Sequence, residues 1–316
     1  MKGEKVVVTG GTGFIGSHIA EKLVENGNFV TIIDDMSSGK LENIKHLDEN
    51  KIDIIRGNIR DLGLKKIFED HSYVFHEAAI ASVPHCIEHP TKANEINLTG
   101  SMLLLKAACK AGVKKVISAS SSAVYGNTNM LPNKETLPLT PISPYAVTKA
   151  SMELYSYAFS QTYNLPTTCL RYFNVFGPRQ NAESEYSAVI PKFITSLLND
   201  NRPIIYGDGE QTRDFISVEN IAYANIQVAE SAAKGVFNIA SGEKTSINEL
   251  LMMICDITGY EFNPIYKNPQ IGDIKHSVAD VSKAKEDFGF EVKNNFKNEL
   301  KKTIDYFINL FDSNNE

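Results

Sequence analysis

The stretch Val6-Val7-Val8-Thr9-Gly10-Gly11-Thr12-Gly13-Phe14-Ile15-Gly16 decides the fold of this chain of 316 residues. It opens with a β-branched run that predicts a buried strand, and its glycines form a turn into an amphipathic helix from about Ser17 to Asn26. Glycine permits positive φ angles and close approach of a phosphate, and the helix N-terminus offers unpaired N–H groups and a partial positive charge. This order predicts a site for the diphosphate of a dinucleotide at Gly10, Gly13 and Gly16.

A second predicted strand, Phe29 to Ile33, ends at the acidic residue Asp34, about 20 residues beyond the glycine turn. A carboxylate at that point accepts hydrogen bonds from the adenosine ribose hydroxyls, and its charge repels a 2′-phosphate. The sequence therefore predicts NAD rather than NADP as the cofactor. The alternative is a glycine-rich turn followed by a surface aspartate without this role.

A hydroxyl cluster and a Tyr–Lys pair predict proton transfer beside the nicotinamide. The cluster Ser118-Ala119-Ser120-Ser121-Ser122 follows the strand Val116-Ile117, so at least one hydroxyl faces the carboxyl edge of the sheet. Tyr145 opens a helix after Pro144, and Lys149 lies one turn later on the same face. Because a tyrosine followed by a lysine four positions later is expected about once by chance in such a chain, an exposed helical pair is the alternative.

The energy that this proton transfer requires is moderate. A tyrosine phenol titrates at about 10 in water, so a phenolate base at neutral pH requires a shift of about three units, or ~4 kcal/mol. A neighbouring ammonium and the positive nicotinamide ring supply a shift of that size. We therefore expect Tyr145 to be the base, Lys149 to lower its pKa and hold the nicotinamide ribose, and Ser121 to share the proton of the substrate hydroxyl.

The composition predicts a compact soluble protein. With 42% hydrophobic residues and a net charge of −6, the chain can bury a large core and form two lobes. The lack of a basic stretch argues against nucleic acid as a partner, and no apolar run approaches the ~20 residues that span a bilayer. Since Met1-Lys2-Gly3-Glu4 enters a strand directly, without a signal sequence, we expect a cytoplasmic protein. The chain has four cysteines, which are scattered singly along the sequence: Cys86, Cys109, Cys169 and Cys255. This spacing indicates reduced thiols in the core rather than a disulfide frame or a metal site.

Strand and helix patterns alternate along the first half of the chain. Further strands are predicted at Asp53 to Arg56, Tyr73 to Glu77, Lys115 to Ser118 and Thr167 to Tyr172, and long helices at about Thr91 to Ala111 and Tyr145 to Tyr163. The alternation predicts an α/β fold, a doubly wound parallel Rossmann sheet with a smaller α/β C-terminal substrate lobe. We expect the NAD-binding domain to span 1–174 with a returning segment at about 214–240, and the substrate lobe to span 175–213 and 241–316.

Five ordered motifs, spread over essentially the whole chain, carry a family resemblance. They are Thr9-Gly10-Gly11-Thr12-Gly13-Phe14-Ile15-Gly16, Ser121-Ser122-Ala123-Val124-Tyr125-Gly126, Pro144-Tyr145-Ala146-Val147-Thr148-Lys149, Leu170-Arg171-Tyr172-Phe173-Asn174-Val175-Phe176-Gly177-Pro178-Arg179-Gln180 and Gly207-Asp208-Gly209-Glu210-Gln211-Thr212-Arg213-Asp214-Phe215. The chain resembles the extended short-chain dehydrogenases/reductases, specifically their NAD-dependent nucleotide-sugar epimerase/dehydratase group, which UDP-glucose 4-epimerase typifies. The resemblance implies NAD as cofactor and a UDP-sugar as substrate.

The resemblance also implies which residues line the site. Those for the cofactor are Gly10, Gly13, Phe14, Ile15, Gly16, Asp34, Asp35, Ser37, Ser38, Gly39, Asn58, Ile59, Ala78, Ala79, Ile80, Asn97, Ser120, Tyr145, Lys149 and Tyr172. Those for the substrate are Ala81, Ser121, Ser122, Tyr145, Asn174, Val189, Ile190, Tyr206, Arg213, Gln270, Asp273 and Ser277. Arg213 suits a phosphate as a bidentate donor, and Tyr206 offers a flat face to a pyrimidine. The alternatives are an ion pair of Arg213 with Asp214 and a core position for Tyr206.

Two residues depart from the pattern of the group. Gln270 stands where an arginine usually binds the diphosphate, which weakens that site unless Lys267 or Lys275 reaches it. Asn58 stands where an aspartate usually meets the adenine amino group, and we expect its amide oxygen to accept the same hydrogen bond.

The triplet Ser121-Ser122-Ala123 indicates the reaction within the group. Dehydratases and decarboxylases of the group carry an acid in this triplet, whereas here it holds no carboxylate. The chain therefore resembles the simple 4-epimerases, which need one base and one hydride acceptor. A dehydratase, a decarboxylase, a reductase that releases its dinucleotide and a non-catalytic NAD-sensing module are the alternatives.

Two small residues bear on which sugar the pocket accepts, and two long helices bear on the oligomeric state. In the group, a bulky residue at the position of Ser277 restricts the pocket beside C2, and a lysine stands at the position of Ala81. Both small residues leave space for an N-acetyl group, so we expect UDP-N-acetylglucosamine and UDP-N-acetylgalactosamine as substrates alongside UDP-glucose and UDP-galactose; refilling of the space by neighbours is the alternative. Because the long helices pair across a two-fold axis in the group, we expect a homodimer; burial of both helices against the sheet and the second lobe is the alternative. The apolar residues expected there are Leu98, Met102, Leu103, Met152, Tyr155 and Phe159.

Overall fold

The computed structural model describes residues 1–181, 188–269 and 274–315. Its strands are β1 (Lys5–Thr9), β2 (Phe29–Asp34), β3 (Ile52–Arg56), β4 (Tyr73–His76), β5 (Lys115–Ser121), β6 (Thr167–Tyr172), β7 (Asn174–Phe176), β8 (Ile204–Tyr206), β9 (Thr212–Arg213), β10 (Phe215–Ser217), β11 (Gly235–Ile239), β12 (Thr245–Ser246) and β13 (Ile265–Lys267). Its α-helices are α1 (Phe14–Glu25), α2 (Leu64–Phe68), α3 (Val83–Glu88), α4 (Pro90–Ala93), α5 (Gly100–Ala111), α6 (Pro144–Tyr163), α7 (Val189–Leu198), α8 (Val218–Glu230), α9 (Ile247–Thr258), α10 (Ser282–Phe288) and α11 (Phe296–Asn315).

Seven parallel strands form the central sheet in the order β11-β6-β5-β4-β1-β2-β3. Val6 and Val8 of β1 pack into one hydrophobic cluster and Val7 into another, so both faces of the sheet are covered, as a parallel sheet requires. The strand order reverses between β1 and β4, and ligands of such sheets bind at the carboxyl ends of the strands beside this reversal. The structure confirms the predicted doubly wound α/β fold.

The later part of the chain forms shorter elements around a core of its own. Strand β8 pairs with β13, and β9 pairs with β12. Helices α7, α9 and α11 pack together through residues that include Phe193, Leu250 and Ile304. This arrangement provides the expected second cluster of elements, while the boundaries at residues 174, 214 and 240 stay a prediction.

The helix predicted from Thr91 to Ala111 is not continuous. It consists of α4, a π-helical turn at Asn94–Thr99 and α5. The π-helical turn places Asn97 inside, where its amide oxygen accepts a hydrogen bond from the Ile80 N–H at 2.8 Å and its amide nitrogen donates to the Ile80 carbonyl at 3.0 Å. π-helical turns occur frequently at functional sites, and this one fixes the chain beside the carboxyl end of β4.

Two further features of the structure are the burial of the cysteine side chains and the length and hydropathy of the helices. Each cysteine is a free thiol, and Cys86, Cys169 and Cys255 are buried, as predicted. Within the three described ranges we find no helix with both the length and the hydropathy that crossing a bilayer demands.

Candidate active site

The glycine turn is packed so tightly that no larger residue fits. A Cβ on Gly16 would lie 2.1 Å from the carbonyl oxygen of Gly10, and one on Gly10 would lie 2.8 Å from the nitrogen of Ala78. Gly10 also has a φ of 68°, which favours glycine. Helix α1 begins at Phe14 with no side-chain cap on Gly13, so its N–H groups and its partial positive charge face the turn. This geometry suits a diphosphate.

Asp34 and Asp35 fix the loop that follows β2. The Asp34 carboxylate accepts hydrogen bonds from the N–H groups of Thr12 at 3.0 Å and Met36 at 2.9 Å, so it fastens the end of β2 to the glycine turn. Desolvation acts to raise the pKa of Asp35. Hydrogen bonds from the Ser37 side chain and from the Ser37 N–H outweigh this effect and hold that pKa below its ordinary value. Two carboxylates at this end of the groove suit ribose hydroxyls and repel a 2′-phosphate.

The remaining residues of this loop and its neighbour lie against the turn. A Cβ on Gly39 would lie 2.0 Å from the Thr12 hydroxyl oxygen, so the segment that includes Ser38 folds directly onto the turn. Ile59 is 5% exposed and packs against Gly100, which places its side chain in the core.

Asn58 makes contacts that its predicted role did not anticipate. Its amide oxygen accepts hydrogen bonds from the backbone N–H and from Nε of Arg60, both at 3.1 Å, and its amide nitrogen donates to Asp35 at 3.1 Å. Two N–H groups therefore occupy the two lone pairs of the oxygen. The predicted hydrogen bond from the adenine amino group would share this oxygen with Arg60 and stays a prediction.

Tyr145, Ser121 and Lys149 come together at the carboxyl end of β5. Ser143 caps helix α6 by accepting a hydrogen bond from the Ala146 N–H at 3.2 Å, which fixes the first turn on which Tyr145 lies. The Ser121 hydroxyl lies near enough to the Tyr145 phenol to lower its pKa by hydrogen bonding, and its oxygen accepts a hydrogen bond from the Ala123 N–H at 3.2 Å. Lys149 is buried, and its Nζ lies 5.9 Å from the centre of the Tyr145 ring. The structure thus assembles the three residues that the sequence predicted to transfer the proton.

The pKa of Tyr145 differs from the sequence expectation. Desolvation raises it to about 12, while the hydrogen bond with Ser121 lowers it and the nearby Cys86 and Glu77 raise it. Lys149 donates a hydrogen bond of 2.7 Å to the Ala119 carbonyl, and burial lowers the pKa of its own ammonium group. Without the cofactor the phenol pKa is therefore raised rather than lowered, because desolvation dominates; the lowering expected from Lys149 together with the nicotinamide ring stays a prediction.

Ser120 does not reach the groove with its hydroxyl. Successive residues of a strand point to opposite faces, so Ser120 points away from the side that Ser121 occupies. It is 2% exposed and donates a hydrogen bond to Glu153. Glu153 also binds Arg171 through two hydrogen bonds of 2.7 and 2.9 Å. The predicted cofactor contact of the Ser120 side chain is thus replaced by a buried ionic network.

A cleft of about 400 Å³ lies between β7, β8 and the start of α7. Its walls gather five of the residues implied for the substrate, namely Asn174, Val189, Ile190, Tyr206 and Arg213. Tyr206 is 39% exposed, so its alternative role as a core aromatic is wrong. Phe193 and Phe215 close the apolar floor. An aromatic face beside a guanidinium suits a base and a phosphate.

Asp214 does not serve as the ion-pair partner proposed as the alternative for Arg213. It is fully buried, and its carboxylate accepts hydrogen bonds from the N–H groups of Ser241, Gly242 and Ala279 at 2.8, 3.0 and 3.1 Å. Burial raises the pKa of Asp214 to about 6. Asp214 therefore joins three chain segments, while Arg213 lines the cleft and donates to the Thr212 carbonyl at 3.0 Å.

The comparison with known families agrees with this geometry. The sequence profile of the NAD dependent epimerase/dehydratase family matches residues 6–240. The chain belongs to this family. It is accordingly an enzyme of the extended short-chain dehydrogenase/reductase class, an isomerase that uses NAD as its cofactor.

Solved structures and a sequence relative from the epimerase family resemble the chain over nearly its full length. The UDP-N-acetylglucosamine 4-epimerase of Methanobrevibacter ruminantium M1, in complex with UDP-N-acetylmuramic acid, is 47% identical, covers 98% of this chain and 100% of its own, and superposes with a TM-score of 0.96. The UDP-glucose 4-epimerase of Thermotoga maritima, with UDP-glucose, is 40% identical over 97% and 99% of the two chains, with a TM-score of 0.92. A putative UDP-glucose 4-epimerase of Methanocaldococcus jannaschii is 38% identical over 96% and 98%.

The predicted sugar-pocket residues of this epimerase family member differ in their exposure and contacts. Ala81 is exposed, and Ser122 opens the 3-10 turn Ser122–Tyr125. Ser277 is partly buried, and its N–H donates to the Thr212 carbonyl at 3.1 Å, which ties it to the strand that carries Arg213. The predicted contacts of Gln270 and Asp273 lie outside the described residues.

Sequence reasoning missed Glu77. It lies between β4 and the predicted cofactor segment from Ala78, and its carboxylate accepts a hydrogen bond of 2.9 Å from the Tyr172 hydroxyl. Burial raises the pKa of Glu77 to about 7. The available signal was an acidic residue directly after the apolar strand Tyr73–His76, at the sheet edge where the site was expected.

Proposed function

We propose that the chain is a UDP-sugar 4-epimerase that interconverts UDP-N-acetylglucosamine and UDP-N-acetylgalactosamine, alongside UDP-glucose and UDP-galactose. One observation carries the proposal. Tyr145 and Lys149 lie beside the end of β5, where Lys149 donates to the Ala119 carbonyl, and Ser121 of that strand is paired in register with Tyr172, two residues before the cleft residue Asn174. A sugar that extends from a nucleotide in the cleft thus approaches the proton-transfer centre.

The residues of the chain divide the reaction between them. NAD+, which the glycine turn and Asp34 would hold, would supply the acceptor for the C4 hydride and its return to the opposite face. Tyr145 takes the proton of the 4-hydroxyl, and the nearby Ser121 hydroxyl shares that proton. Arg213 and Tyr206 hold the nucleotide while the 4-keto sugar turns over. Tyr145 then gives the proton back, so neither protein nor cofactor changes overall.

Dehydration and decarboxylation, the further reactions of the family, require an additional acid. Elimination of water and handling of a β-keto acid both need a second proton carrier next to the base. The turn after Ser121 consists of Ser122, Ala123, Val124 and Tyr125 and offers no carboxylate. These residues therefore favour epimerisation over dehydration or decarboxylation. A reductase would release its dinucleotide in a changed redox state after each turnover, and an NAD sensor would not need Tyr145.

The sugar preference follows from side-chain size. Ser277 and Ala81 leave room where a tyrosine or lysine would meet the three heavy atoms that an acetyl group adds. The relative from Methanobrevibacter ruminantium M1, whose solved complex holds an N-acetylated UDP-sugar, supports the same preference.

Steady-state rates on the two sugar classes test the preference. We expect wild type to turn over UDP-N-acetylglucosamine, and Ser277→Tyr to lower kcat/KM for that sugar by roughly 10-fold or more while UDP-glucose stays within about twofold. Ser282→Tyr, an exposed serine nearby, is the matched control and should change neither rate. If wild type converts UDP-glucose but not UDP-N-acetylglucosamine, the sugar preference is wrong and the epimerase proposal stands.

We also propose that the enzyme is a homodimer that pairs through α5 and α6. On α6, the apolar side chains Val147, Leu154, Tyr155 and Tyr157 are 47%, 63%, 41% and 64% exposed. Of the residues expected there from the sequence, Met152 is buried and Phe159 packs into the core, so those two do not belong to the surface. An apolar face of this kind on one helix suits a second copy of the same helix.

A further inference from the structure

Glu77 occupies a fixed position beside the glycine turn. Its N–H donates to the Thr9 carbonyl at 3.1 Å, and the next residue, Ala78, lies against Gly10. The residue is partly exposed toward the groove, whereas its carboxyl group is desolvated. Strand β4 therefore delivers a carboxyl group to the same sheet edge as the proton-transfer centre on β5.

Tyr172 and Asn225 fix the direction of the hydrogen bond to Glu77. The amide nitrogen of Asn225 donates to the Tyr172 hydroxyl at 2.8 Å, so that hydroxyl is left to donate its own hydrogen to Glu77 at 2.9 Å. Burial raises the pKa of Tyr172 well above its ordinary value, which keeps it a donor. The Glu77 carboxyl is therefore held as an acceptor in one orientation.

Among the groups that the structure describes around Lys149, all except Glu77 are either neutral or paired with an opposite charge. Burial keeps Cys86 of α3 and Cys169 of β6 as neutral thiols by raising their pKa, and it lowers the pKa of His76 to about 3. Glu153 of α6 is neutralised by Arg171, at 2.7 Å. Strand β4 pairs with β5 so that His76 lies beside Ser118, which brings the next residue, Glu77, beside Ala119, whose carbonyl accepts the hydrogen bond from Lys149. Among the described residues, Glu77 is then the remaining carboxyl group next to Lys149, and its charge acts on Lys149 and on the Tyr145 phenol.

We propose that Glu77 is a positioning residue for the proton transfer: its carboxylate interacts with the Lys149 ammonium and adjusts the charge that the Tyr145 phenol meets. An ionised Glu77 keeps Lys149 charged but opposes formation of the Tyr145 phenolate. When Glu77 is neutral, no negative charge offsets the stabilisation of the phenolate by the Lys149 ammonium. The charge of one buried carboxyl thus sets the pH above which Tyr145 accepts a proton. The proposal rests on the proposed epimerase function, in which Tyr145 is the base.

The pH dependence of Glu77→Gln in the NAD-loaded enzyme tests this role. The substitution keeps the size of the side chain and its acceptor for Tyr172 but removes the charge. Since an anion raises the pKa of a neighbouring phenol, its removal should move the acidic limb of kcat/KM to lower pH by roughly 0.5–1 unit. Glu291→Gln removes an exposed charge that pairs with Lys285, and should leave the profile in place.

A second readout separates this proposal from the proposed function. The ultraviolet absorbance of tyrosinate in NAD-loaded enzyme, corrected with Tyr145→Phe, reports the ionisation of Tyr145 whichever sugar is turned over. We expect the same downward shift in Glu77→Gln. An unchanged midpoint in that titration, or a rate that falls equally at every pH, would show that Glu77 is only structural and would overturn the proposal. A shifted midpoint in an enzyme that turns over no UDP-sugar would instead refute the epimerase function alone.

Discussion

At the scale of single residues, the proposed reaction requires a buried phenol, that of Tyr145, to act as a base. Desolvation raises the pKa of Tyr145 to about 12, so ionisation at neutral pH requires about 7 kcal/mol. The Lys149 ammonium, 5.9 Å from the ring centre, contributes ~3 kcal/mol at an effective dielectric constant of ~20. The remaining ~4 kcal/mol falls to the positive charge of NAD+ and to hydrogen bonds from the substrate. The base therefore forms only in the loaded enzyme.

Tyr145→Phe removes this base and leaves the glycine turn intact. We expect kcat to fall by roughly 10²–10⁴-fold, with the amount of NAD bound per chain unchanged. Tyr157→Phe, on the exposed side of the same helix, is the control and should retain full activity. Undiminished turnover by Tyr145→Phe would contradict the assigned role.

At the scale of elements, the junction of β1 and α1 is the least tolerant part of the site. In Gly16→Ala the new Cβ would meet the Gly10 carbonyl oxygen at 2.1 Å, so the turn must open. We expect a loss of bound NAD and a destabilisation of about 1–3 kcal/mol, measured by dinucleotide content and by thermal unfolding. Gly63→Ala, where no atom lies within 4 Å of the added Cβ, should keep both. Normal NAD content in Gly16→Ala would refute the diphosphate site.

The elements that the sequence predicted well are those with a local signal. The β1 turn, helix α6 and the pair of Tyr145 and Lys149 are each set by spacing within one segment, and each lies where expected. Ser120 and Met152 were misplaced, because the face that each presents depends on packing against distant strands. Glu77 was missed for the same reason: its partner, Tyr172, is distant in the sequence and meets it only across the sheet.

At the scale of the whole molecule, the exposed apolar face of α6 predicts the oligomeric state. Sedimentation of wild type at micromolar concentration should show a dimer, because Leu154 and Tyr157 would otherwise remain in water. Leu154→Glu should yield monomers by placing a charge in the interface. Met252→Glu, an equally apolar exposed position on α9, should remain dimeric. A wild-type protein that sediments only as a monomer would refute the interface.

The central claim is that C4 of the sugar loses and regains the same hydride within one closed site. The most direct measurement uses a UDP-sugar with deuterium at C4, incubated with the NAD-loaded enzyme in ordinary water and followed by NMR. We predict that the C4 epimer forms with its deuterium fully retained at C4, and that Tyr145→Phe forms almost none. A product that carries solvent hydrogen at C4, or conversion without inversion at C4, would contradict this claim.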